Sequence, residues 1–292
     1  MNSILVCNTG SDSISKVNIS DLTVENLPLD FGEKPIGPHG IYISDKKIYT
    51  ANNYSNSVSI INGVTFKEED SIYIGPYPND VATLKNKLYI SCGESNAIIV
   101  YDLVEKKILF EIPIDKWPHS IEIYKEAEMI FVSNLEGNSI SIIDGIDNKV
   151  IKKIDTLEYP TKILVSKDKS KIYVCESYIG EDTFGYVEVF SIKNLCTLKR
   201  IKVGKSPVDM WDDGNFLYVS NFSDGTISII DVDTLKEIKR INVGSMPKGI
   251  IRYKDKLYIG DYLKGRILSL NLKTKETKAI AVGKEPNAMT LY

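Results

Sequence analysis

Short apolar runs rich in Ile, Val and Tyr recur along this chain, bounded by Gly, Pro, Asn and Asp. That pattern predicts strands. The runs fall into a repeating unit opened by a proline, at Pro38, Pro78, Pro118, Pro160, Pro207, Pro247 and Pro286, with spacings of 40, 40, 42, 47, 40 and 39 residues. After each proline comes a short apolar stretch, such as Gly40 to Ile43. A second strand ends on a polar residue, as in Leu217 to Asn221, and a third follows, as in Thr226 to Ile230. A fourth carries Ile-x-Val-Gly, as in Ile241 to Gly244. Four strands in ~40 residues make one blade of a β-propeller.

Turn chemistry repeats with the strands. Before the third strand stand Asp12, Asn56, Asn96, Asn138, Gly185, Gly225 and Gly265, residue types that tolerate the positive φ of a tight turn. After it stand Asn18, Asn62, Asp102, Asp144, Ser191, Asp231 and Asn271, whose short polar side chains can bond the following backbone. A third column is small throughout: Cys7, Ala51, Ser91, Ser133, Cys175, Ser220 and Gly260. Small side chains there let neighbouring blades approach.

Counting closes the ring. The N-terminal piece, 1–37, supplies second, third and fourth strands but no first; the C-terminal piece, 286–292, supplies a first strand and nothing after it. Together they make one split blade, which leaves no open edge between the chain ends. The expectation is an all-β, single-domain, seven-bladed propeller over residues 1–292, four antiparallel strands per blade.

Composition narrows the function classes. The formal net charge is −3 and the pI about 5.6, whereas nucleic-acid binders are usually basic. No apolar run approaches the ~18 residues of a membrane span. Residues 1–7 show neither a basic start nor a long apolar core, so no signal peptide is expected. The four cysteines form no CxxC or metal spacing, and free thiols in a cytoplasmic chain are expected. Abundant Ile, Lys and Asn with little Ala match an AT-rich bacterial genome.

The units resemble the YVTN β-propeller repeat family, which includes the YncE-like proteins. The resemblance rests on Leu217 to Asn221, Thr226 to Asp231 and Ile241 to Pro247, and covers essentially the whole chain. It implies the propeller fold. It carries over no catalytic residue, because the family shares no catalytic motif. It implies export for many members, a point from which this sequence departs.

Departures from the repeat point to one face. The loops joining the fourth strand to the next first strand, and the second to the third, share a side called here the top. The 160–207 unit carries seven extra residues, five of them in the top loop 176–184, with Tyr178 and Phe184. The loop 30–37 is also extended. Insertions on one face often mark a binding face; neutral loop drift is the competing reading.

The column before the proline holds Tyr77, Trp117 and Tyr159 in consecutive blades. The next two columns hold both histidines of the chain, His39 and His119, with Asp80, Lys162, Asp209 and Lys248. An aromatic wall with convergent polar groups describes a small-molecule pocket. Aromatics packing between loops and histidines bonding the next blade's backbone are the alternative. The two histidines belong to blades two apart, with backbones expected on the order of 12 Å apart, so no shared metal is expected. A further column, Asn8, Asn52, Cys92, Asn134, Glu176, Asn221 and Asp261, is expected to cap turns or to ring the channel.

No Ser-His-Asp order, phosphate loop or zinc motif is visible, and no cofactor is expected. The leading reading is a non-catalytic binding or scaffold propeller taking a protein, a peptide or a small molecule on its top face. A lactonase- or lyase-type enzyme built on His119, Asp80 and Lys162 is the second. A structural component of a bacterial surface or spore layer is the third.

Overall fold

The computed structural model of the chain describes residues 3–30, 32 and 34–292. These residues form seven antiparallel sheets of four strands each, a seven-bladed propeller. Blades 2 to 7 cover 38–73, 78–113, 118–155, 160–202, 207–242 and 247–281, each running outward in chain order. Blade 1 takes its three outer strands from Ser3–Asn8, Ser13–Asn18 and Val24–Pro28. Its inner strand is Pro286–Leu291, paired antiparallel with Ser3–Asn8 through Ile4 opposite Leu291 and Leu5 opposite Thr290. Backbone bonds from Ser3 N to Tyr292 O (3.1 Å) and Tyr292 N to Ser3 O (2.9 Å) fasten the two ends. Each proline of the repeat is the first residue of an inner strand, the position where its missing N–H costs least. No helix among the described residues is long and apolar enough to cross a membrane.

The core is a ring of blade-to-blade interfaces. Each of seven clusters of buried side chains joins two neighbouring blades: Ile99 and Val81 of blade 3 pack with Val58 of blade 2, and Ile4 of blade 1 packs with Tyr258 of blade 7. The second and third strands are buried on both faces, which is why they read as near-continuous apolar runs. The fourth strand lies at the rim, so Lys149–Asp155 is exposed at nearly every position. Each buried Ile or Val adds ~1.5–3 kcal/mol, and closing the circle lets both sides of every blade collect it.

The turn columns act as their chemistry suggests, except at Gly185 and at Ser191, whose turn is closed by backbone bonds rather than by its own hydroxyl. Asp12, Asn56, Asn96, Asn138, Gly225 and Gly265 have φ between 46° and 65°. Gly185 is not among the positive-φ residues; a Cβ there would meet the Pro207 ring at 2.2 Å, so close approach rather than φ requires glycine. Asn62, Asp102, Asp144 and Asn271 each accept two backbone N–H bonds in the turn that follows.

The column ending the second strands corrects the expectation. These residues are fully buried inside the blade and none lines the channel mouth; turn capping survives at Asp261, whose Oδ1 accepts from Lys264 N at 3.4 Å. The amides of Asn8, Asn52, Asn134 and Asn221 each donate to two hydroxyls on the third strand; Asn52 reaches Ser57 (3.0 Å) and Ser59 (2.9 Å). Strand alternation places the two hydroxyls on the same face as the amide. Where the amide is lost, its partners change with it. Cys92 faces Ala97 and Ile99, Asp261 pairs with Arg266 (2.9 Å), and Glu176 faces Tyr186 and Glu188.

Candidate functional site

The top face is locked from the backbone upward. In every blade the residue after the second strand donates its N–H to the carbonyl of the residue before the proline, as Gly93 does to Tyr77 (2.9 Å) and Leu135 to Trp117 (2.8 Å). Tyr77, Trp117 and Tyr159 adopt φ of 53–55°, an unusual region for bulky side chains. Each is held there by a second bond, its own N–H donating to the Oδ1 of Asn56, Asn96 or Asn138 at 2.9–3.0 Å.

Directly after the proline, the pairing of the inner strand with the second strand shifts register in all seven blades, as between Pro78 and Asp80 or Pro118 and Ser120. Regular alternation would send successive side chains to opposite faces. A bulge re-aims one of them, so both residues after the proline face the channel mouth. The result is a cavity of about 170 Å³ whose titratable lining comes from His39, Asp80, His119, Lys162, Asp209 and Lys248. Ile179, from the inserted loop of blade 5, completes the wall with Ile41, Val208 and Met289. The other four candidates stand apart from this lining. Tyr77 and Trp117 stack on each other with ring centroids 5.3 Å apart, Trp117 lying over Gly93. Tyr178 pairs with Tyr186 at 6.1 Å, and Tyr159 is half-buried in its loop. In the extended loop 30–37, Ile36 is buried in the core; Phe31 and Glu33 lie outside the described residues.

The cavity's acids are tied to the next blade. Asp80 accepts N–H bonds from Val81 (3.0 Å) and Ile121 (3.1 Å) and a bond from the Ser120 hydroxyl (3.3 Å). Asp209 accepts one from Ile250 N (3.0 Å) and lies 3.9 Å from the Lys162 ammonium. The histidines are tied the same way, Nδ1 of His39 to Asn79 O (2.8 Å) and Nδ1 of His119 to Thr161 O (2.6 Å). A carbonyl only accepts, so Nδ1 carries the proton and Nε2 is the free acceptor of each neutral ring. The side chains reach fully inward. Their rings meet edge to face at 5.4 Å, despite coming from blades two apart.

Burial and the two lysines set the protonation states. Burial, then Lys248, pushes His119 down to about 4; burial, then Lys248 and His119, holds His39 well below the usual range. Burial brings Lys248 down to about 8 against the pull of Asp209 and Glu285. Burial would lower Lys162 too, but the carboxylates of Asp209, Asp80 and Glu122 outweigh it and hold it charged. Those three acids crowd Lys162, and burial raises each of them, Glu122 to about 7. Three cysteines are buried and Cys196 is exposed; all four are free thiols, and burial pushes Cys92 up to about 12. Among the described residues, no group of three or more His, Cys, Asp or Glu could hold a metal ion.

No protein-family model matches the chain, and no curated protein matches it in sequence. Solved structures do match in shape. A functionally unknown protein from Desulfotomaculum acetoxidans superposes with a TM-score of 0.81 at 14% identity, over 99% of this chain and 98% of that one. Hydrazine synthase of Kuenenia stuttgartiensis gives 0.79 at 18%, over 89% and 90%. Virginiamycin B lyase from Staphylococcus aureus gives 0.75 at 17%, over 89% and 90%. At these identities the likeness defines the class, a seven-bladed propeller, and nothing finer.

Proposed function

We propose that this chain is a non-catalytic binding propeller that holds a small molecule in the top mouth of its channel. The observation that supports the reading is the convergence of six titratable side chains, one from each of blades 2 to 7, on one cavity. Its volume selects among the candidate partners. About 170 Å³ is comparable to an apolar cavity of ~150 Å³ that holds benzene, so a compact molecule or one protruding side chain fits, and a folded partner does not. The YVTN-like strand pattern is in keeping with a repeat scaffold whose specificity is carried by a few channel-mouth residues.

The enzyme reading has one point in its favour, the free Nε2 of His119 beside Lys162. Two features weigh against it. The Nδ1 partner of His119 is a backbone carbonyl rather than a carboxylate, and a base held near 4 is weakly basic at neutral pH. The test is a small-molecule thermal-shift screen on wild type and on a Lys162→Met/Lys248→Met double variant. Hits that stabilise wild type and lose their effect in the variant support the reading. Hits that persist unchanged place the site elsewhere, and turnover of a hit abolished by His119→Gln overturns the non-catalytic assignment.

A further inference from the structure

Resting on that reading, we infer that the ligand is a small hydroxylated organic acid, its carboxylate meeting Lys248 and its hydroxyl donating its one proton to the Nε2 of His39 or of His119. The polar groups of the cavity are not equally available. Asp80 and Asp209 spend their oxygens on the backbone of the next blade and on Ser120, and Lys162 has Asp209 beside it. Lys248 differs. Among the described residues no carboxylate lies within ion-pair distance of its ammonium, which sits 5.3 Å from the centre of the Tyr262 ring. A cation in the cavity wall with no carboxylate in ion-pair contact, Asp209 and Glu285 acting on it only from farther off, is a place for an anion, and a carboxylate makes the charge-assisted bond there.

The two imidazoles ask for the opposite polarity. With both Nδ1 protons committed to Asn79 and Thr161, the rings offer acceptors only, and edge-to-face contact at 5.4 Å brings them within reach of one ligand. A hydroxyl beside the carboxylate supplies the donor. Two acceptors would also suit a metal ion, but Lys162 and Lys248 crowd the same cavity and no third ligand joins the pair among the described residues. Ile41, Ile179, Val208 and Met289 leave room for an apolar body. The charged groups facing Lys248 are Asp209 and Glu285, and those facing the histidines are Lys248 and Lys162.

The experiment uses three probes of one shape by calorimetry at neutral pH: mandelate, phenylacetate without the hydroxyl, and mandelamide without the charge. Mandelate should bind about tenfold or more tighter than mandelamide and several-fold tighter than phenylacetate. Lys248→Met should cost mandelate about tenfold or more and leave mandelamide nearly unchanged, while Lys248→Arg retains mandelate binding and controls for folding. Mandelate affinity should fall as pH rises through about 8, where Lys248 loses its proton. Mandelamide binding as well as mandelate, with both lost in the Lys162→Met/Lys248→Met variant, overturns the acid inference and leaves the cavity standing. Phenylacetate matching mandelate overturns the hydroxyl contact. Binding of all three untouched by the double variant, or no binding by any, overturns the cavity reading as well.

Discussion

The rings of His39 and His119 lie edge to face with centroids 5.4 Å apart, although their strands open blades 2 and 4 and the inner strand of blade 3 stands between them. Asn79 of that intervening blade carries the carbonyl to which His39 is bonded. The pair exists because each blade bulges after its proline, and because each ring is anchored by Nδ1 to the next blade.

Stability should therefore depend on keeping these rings neutral. His119 is held near 4 against an ordinary 6.5. Between those values the unfolded chain binds more protons at this site, so stability falls as pH is lowered through the window. The loss is at most about 3 kcal/mol for this group. Denaturant unfolding of wild type and His119→Gln at pH values above and below the window should show wild type losing the larger share on acidification. Parallel pH profiles would contradict the assignment. Glu122 is common to both proteins and cancels.

Removal of residues 286–292 takes the inner strand from blade 1 and leaves Ile4, Val6 and their neighbours in blade 7 without Met289 and Leu291. It also opens an unpaired edge. The truncated chain should aggregate or melt far below the full chain. Melting within a few degrees of it would mean that closure contributes little.

The amide clamps inside the blades give a more local test. Asn52→Leu leaves the hydroxyls of Ser57 and Ser59 buried without that donor and should cost about 1–3 kcal/mol. The triple change Asn52→Cys, Ser57→Ala, Ser59→Ile reproduces the apolar set of blade 3 and should recover part of the loss. Urea unfolding of the two variants compares them, and a triple variant less stable than the single one would refute the exchange of one set for the other.

Blade 5 carries the opposite case. Glu176 is fully buried with neither carboxylate oxygen hydrogen-bonded, and burial, then Glu188, raises its pKa well above the usual range. The folded state thus holds a proton that the unfolded chain releases, and stability is lost as pH rises from the unfolded value through the folded one. Glu176→Gln should be neutral in acid and stabilising by about 1 kcal/mol or more at neutral and alkaline pH. A destabilised variant at alkaline pH, read by thermal melting, would show that the charge is compensated.

The blade count, the strand order and the split blade were legible because prolines and turn residues recur at fixed offsets. Asp80, Lys162, Asp209, Lys248 and the histidines were legible as columns. Their meeting at the channel mouth was expected from the columns, but the bulge that lets two neighbouring columns face it was not, since it leaves no residue signature and alternation alone would separate them. The aromatic column was misleading for the same reason: Tyr77, Trp117 and Tyr159 mark a strained, bonded turn just before the bulge, outside the cavity lining. The buried amide clamps escaped notice because Asn at a strand end reads as a turn former until its Ser partners are placed across from it.

The chain contains two histidines, and both line the cavity, so ¹⁵N-labelled imidazole spectra report on the site with no background. The account predicts two neutral rings protonated on Nδ1, with His119 titrating near 4, and a shift of both Nε2 resonances on adding any small molecule that stabilises the protein. Rings titrating near 6.5, or Nε2 resonances unmoved by a stabilising ligand, would contradict the channel mouth as the binding site.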